Sequence, residues 1–78
     1  MIKPFALLDV QDSALIVIDV QDVFLRKLED TVAKRVVERI RWLVKVAGSF
    51  EIPIIVTAED IERNGPTTAL IRDVLPKY

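Results

Sequence analysis

Few residues of this sequence can do chemistry, and the most suggestive of them is a carboxylate. Asp19 closes the apolar run "ALIVID" (14–19), with Gln21, Asp22 and Phe24 following directly in "DVQDVF" (19–24). The sequence holds no histidine and no cysteine. That removes the usual proton carrier near neutral pH and any thiolate nucleophile. A carboxylate at the end of a buried strand, half shielded by apolar neighbours, can serve as a general base. It can equally cap a turn or accept loop N–H groups, and residue type alone leaves both roles open.

Several chemistries want an aspartate at a strand end, and each asks for more. Magnesium-assisted phosphoryl transfer onto the aspartate needs a second carboxylate two residues on, but position 21 is glutamine. A nucleotide-hydrolase aspartate needs a glycine-rich phosphate loop elsewhere. The only glycines are Gly48 and Gly65, and neither lies in such a loop. Asp19 and Asp22 make at most two hard ligands with no imidazole beside them, so no metal site is expected.

The elements that must hold Asp19 follow from the hydrophobic pattern. Residues 14–19 form a continuous, largely β-branched run, the pattern of a strand covered on both faces. Residues 20–29 read as a connection. Asp30 or Thr31 is placed to cap a helix over 31–49, whose apolar stripe runs through Val32, Val36, Ile40, Leu43, Val44 and Ala47. Lys34, Glu38, Arg41 and Lys45 fall opposite, and Gly48 is placed to end the helix. "IPIIVT" (52–57) reads as a second buried strand with Pro53 near its start. After a polar loop containing "NGP", residues 67–75 show helical spacing through Leu70, Ile71, Val74 and Leu75. Strand, helix, strand, helix predicts an α/β fold: a βαβα unit with a parallel strand pair and a right-handed crossover. In such sheets ligands bind beyond the carboxyl ends of the strands, which is where Asp19 falls.

Size and charge bound the rest. Seventy-eight residues make one small domain, in which 51% hydrophobic residues is a high fraction. A two-stranded sheet is not a finished domain, and it leaves an open edge. Trp42 and Val46 add an apolar shoulder beside the helix stripe. A homo-oligomer or a complementing chain is therefore expected. Eleven basic against twelve acidic residues give a net charge of −1, so no nucleic-acid partner is expected. The apolar runs are too short to cross a bilayer, and the first residues lack a secretory cleavage pattern. The sequence thus reads as a cytoplasmic protein without a membrane partner.

The fuller string "ALIVIDVQDVFL", with Asp19, Gln21 and Phe24 in the pattern Asp-x-Gln-x-x-Phe after a hydrophobic strand, resembles the opening of the isochorismatase-like hydrolases. This is the cysteine hydrolase superfamily that includes nicotinamidases and N-carbamoylsarcosine amidases. The resemblance continues in register through the long amphipathic helix, "IPIIVTAE" (52–59) and "NGPTTALIRDVLP" (64–76), and so covers about residues 13–76. It implies that residues 1–78 form the N-terminal βαβα part of a Rossmann-like three-layer α/β/α sandwich with a parallel sheet. It also implies hydrolysis of a small amide or related molecule without a cofactor. Asp19 would be the general base, with Phe24 and Gln21 on the substrate side.

In the family, the aspartate activates a cysteine thiol, and a lysine on the third strand pairs with that aspartate. This sequence has no cysteine, and its Lys77 comes too early to match the family's lysine, so a solvated tail is the expectation there. The residues present are expected to be inactive alone. The alternative is a non-catalytic α/β assembly or folding module.

Overall fold

A computed structural model describes residues 8–77; the reading of residues 1–12 as no secretory leader falls mostly outside this range. After a 3-10 turn at Val10–Asp12, the chain forms β1 (Leu15–Ile18), α1 (Asp22–Leu25) and α2 (Asp30–Ser49). It continues through β2 (Ile54–Thr57), α3 (Ile61–Asn64) and α4 (Ala69–Arg72). The two strands pair in parallel, Leu15 against Ile54 through Ile18 against Thr57. The chain is therefore a mixed α/β unit with a parallel sheet, as its β-branched runs and intervening amphipathic helix require. Among the described residues, no helix is long and apolar enough to cross a membrane.

The core lies on one face of the sheet. Val17, Val37, Val44 and Ile71 are buried together, with Leu15, Ile54 and Val56 packed against them. The other face is bare: Ile16, Ile18 and Ile55 are 52%, 65% and 51% exposed. This corrects the expectation of strands covered on both faces. A continuous apolar run only states that both faces are greasy, and helices occupy just one of them here.

The seam of α2 also differs from the expected stripe. It runs through Val37, Ile40, Val44 and Ala47, while Val32 and Leu43 remain exposed. A two-stranded sheet is only about 5 Å across between strand axes. It covers a narrow strip of helix, and α4 takes the flank beside Val37. Arg41, expected on the solvated face, instead donates from Nη1 to the carbonyl of Leu70 in α4.

The helix ends were misplaced as well. The cap of α2 is Glu29, with no side-chain bond, and Asp30 is the first helical residue. There its charge suits the positive end of the helix dipole. Gly48 does not end α2. It sits in the last turn, where a Cβ would lie 3.1 Å from Pro76 Cγ, and Glu51 takes the left-handed conformation (φ 57°) that turns the chain toward β2. The expected helix over 67–75 shortens to Ala69–Arg72: Thr67 and Thr68 are held extended by the site described next, and past Asp73 the chain goes on in tighter turns, Val74 N–H to the Ile71 carbonyl and Leu75 N–H to the Arg72 carbonyl.

Candidate functional site

The carboxyl ends of the two strands meet at Asp19 and Thr57. The Asp19 N–H donates to the Thr57 carbonyl at 3.1 Å and to Thr57 Oγ1 at 3.2 Å. The Thr57 hydroxyl returns a hydrogen bond to Asp19 Oδ1 at 3.0 Å. Asp19 has φ 52°, the left-handed region. Short polar side chains tolerate that region best among residues with a Cβ. The flip takes the chain out of the strand, and the Asp19 carbonyl then accepts the Gln21 N–H at 3.0 Å. Among the described residues, Oδ2 of Asp19 takes no hydrogen bond, so one oxygen is fixed and the other is open.

Gln21 is fully buried and ties the site together. Its Nε2 donates to the carbonyls of Glu59 at 2.9 Å and Gly65 at 2.6 Å, and its Oε1 accepts the Glu59 N–H at 3.0 Å. All three partners are backbone groups of the loop between β2 and α4. Asn64 adds a second donor to the Glu59 carbonyl, at 3.1 Å. Thr68 N–H donates to the Val20 carbonyl at 2.8 Å, and Thr67 bridges Gln21 in antiparallel fashion. The loop thus folds back beside the segment that follows Asp19. Asp60 and Gly65, with φ 44° and 79°, supply the two left-handed turns this requires.

Phe24 lies in α1, half-buried, and its N–H donates to the Gln21 carbonyl at 3.0 Å. The Lys27 ammonium sits 5.4 Å from its ring centroid. Backbone bonds therefore link Asp19 to Gln21 and Gln21 to Phe24, while the three side chains have separate partners. Asp22 is exposed and belongs to a groove between α1, α2 and α4, rimmed also by Lys34, Glu38 and Arg41. Asp19 is not part of that lining. No group of three or more candidate metal ligands occurs among the described residues.

Lys77 is exposed and follows Pro76, which packs on Gly48 near the entry to β2. Asp19 is at the exit of that strand pair, about 13 Å of strand away at the usual rise for four residues. Thr57 is the residue that sequence reasoning missed. Its signal was a hydroxyl ending the second parallel strand, opposite the residue before Asp19.

The chain matches no protein-family model, no curated protein and no solved structure.

Proposed function

We propose that this chain contributes the N-terminal part of an isochorismatase-like hydrolase, a Rossmann-like α/β/α sandwich acting on a small amide or related carbonyl compound. The observation that supports this reading most is the Asp19–Thr57 pair. A base must hold its carboxylate in one orientation and keep an oxygen available for the proton it takes. Thr57 fixes Oδ1, and Oδ2 is available.

The reaction follows from that role. Asp19 accepts the proton of a nucleophile as the nucleophile attacks the substrate carbonyl carbon. The leaving amine departs with a proton, and water, deprotonated in turn, releases the acyl group. Phe24 lines the substrate side. Gln21 keeps the loop in place beside the base. The nucleophile comes from outside these 78 residues, since the sequence has no cysteine, and so does the family's lysine, since Lys77 lies at the opposite end of the strand pair from Asp19.

A second reading is a non-catalytic α/β assembly module. The bare face formed by Ile16, Ile18 and Ile55 favours it, because such a face fits docking as well as catalysis. One experiment separates the two. The reading frame through codon 78 is sequenced onward, and its full product is assayed on a panel of small amides. A lysine-bearing strand, a later nucleophile and turnover of a panel member support the hydrolase. An immediate stop, or a full product that turns over none of them, supports the module.

A further inference from the structure

The outer edge of β1 is open, and its geometry specifies how it can be filled. Leu15 and Asp19 both donate their N–H groups toward β2, to Pro53 and Thr57. Strand residues alternate, so Val17 also faces β2, while Ile16 and Ile18 turn both N–H and C=O to the outer side. Among the described residues, those four groups have no backbone partner. Natural edge strands carry Lys, Pro or a bulge to discourage pairing. The stretch Leu15–Ile18 has none. Alongside this edge runs a groove lined by Leu15, Ile16, Val17, Ile18, Ile40 and Leu43, and Leu43 is 44% exposed there.

The chain as a whole exposes more surface than a finished domain of its size. The chain exposes 6555 Å², whereas a folded monomer of 8.9 kDa exposes about 4,800 Å². The described residues account for all of this exposed area except at most about 1,400 Å², the largest area that the remaining eight residues can contribute by mass. That still leaves about 700 Å² beyond what a folded domain of the remaining mass exposes. One partner's side of a standard interface is about 800 Å².

We propose that two copies of this chain pair through β1, antiparallel, about a two-fold axis at Val17. Ile16 and Ile18 are two residues apart, so each faces the other's equivalent across the axis. Ile16 exchanges both backbone bonds with Ile18 of the partner subunit, and Ile18 does so with Ile16 of the partner subunit. All four open groups are satisfied in one step. The result is a four-stranded sheet, in order β2-β1-β1-β2. Directly opposed residues share a face, so the bare isoleucines of both copies become neighbours. Leu43 of each α2 is brought toward the axis on the helix side. The interface is isologous, which closes the assembly at two copies. It deepens the assembly-module reading and excludes the hydrolase one, in which a later strand of the same domain takes this edge.

The test uses the 78-residue chain itself. Sedimentation at tens of micromolar gives a dimer, and the amides of Ile16 and Ile18 are protected from hydrogen exchange in that dimer but not on dilution to monomer. A mixed-label NMR sample shows an interchain contact between the two Val17 Hα protons, as a non-hydrogen-bonded antiparallel pair requires. Ile16→Lys, on the bare face and away from the core, weakens association by about tenfold, because each dimer contains the altered pair twice. Trp42→Lys leaves association unchanged. A monomer at these concentrations, a dimer whose Ile16 and Ile18 amides exchange freely, or a dimer dissociated by Trp42→Lys and not by Ile16→Lys overturns the proposal.

Discussion

Thr57 and Asp19 form a reciprocal pair across the ends of the two strands: the threonine hydroxyl accepts the aspartate N–H and donates to the aspartate Oδ1. One side chain thus sets both the backbone position and the carboxylate orientation of the candidate base. Thr57→Val keeps the β-branched shape and removes both contacts. It should lower stability by about 0.5–1 kcal/mol in urea unfolding, at the modest end because Thr57 is exposed. An unchanged midpoint would mean that the pair does not constrain Asp19.

The left-handed backbone of Asp19 carries its own prediction. A left-handed residue with a Cβ costs about 1 kcal/mol more than glycine at the same angles. Asp19→Gly and Asp19→Ala both lose the carboxylate, so their difference isolates the backbone. The glycine variant should be the more stable by about 1 kcal/mol. Equal stabilities would place Asp19 at negative φ in solution.

Gln21→Ala removes a buried amide that serves two carbonyls and one N–H of a single loop. The cost should be about 2–4 kcal/mol, since the Gly65 carbonyl and the Glu59 N–H are left without partners while Asn64 still serves the Glu59 carbonyl. Hydrogen exchange at Glu59 should rise sharply while the β1–β2 ladder stays protected. Uniform loss of protection would indicate that Gln21 supports the whole fold and not the loop.

The strands and the long helix were legible in the sequence because their signals are local. β-branched runs gave β1 and β2, and a period of three to four gave α2. What escaped depends on distant partners. Gln21 finds its acceptors 38 and 44 residues away, and Thr57 meets Asp19 only once the parallel register is set. The four-residue α1 is too short to show a period. The seam of α2 shifted to Val37 because α4 packs beside it, and Gly48 stays small for Pro76. Asp19 was visible as a candidate from its position alone, while its restraint by Thr57 required the fold.

The Gly48 contact can be measured by a double-mutant cycle. Alanine gains about 1 kcal/mol over glycine inside a helix, but here its Cβ meets Pro76. In a Pro76→Ala background, Gly48→Ala should stabilise by about that amount, and in the wild type by less than half of it. Equal gains would show that residue 76 does not rest on α2.

The central claim is that Asp19 takes a proton during catalysis. Its most direct test is the turnover of the full-length product of this reading frame, wild type against Asp19→Asn. Asparagine keeps the shape and the Thr57 contact but cannot accept the nucleophile's proton. The account predicts a fall of about 100-fold or more in kcat with an unchanged unfolding midpoint. Wild-type turnover in the folded asparagine variant would contradict it.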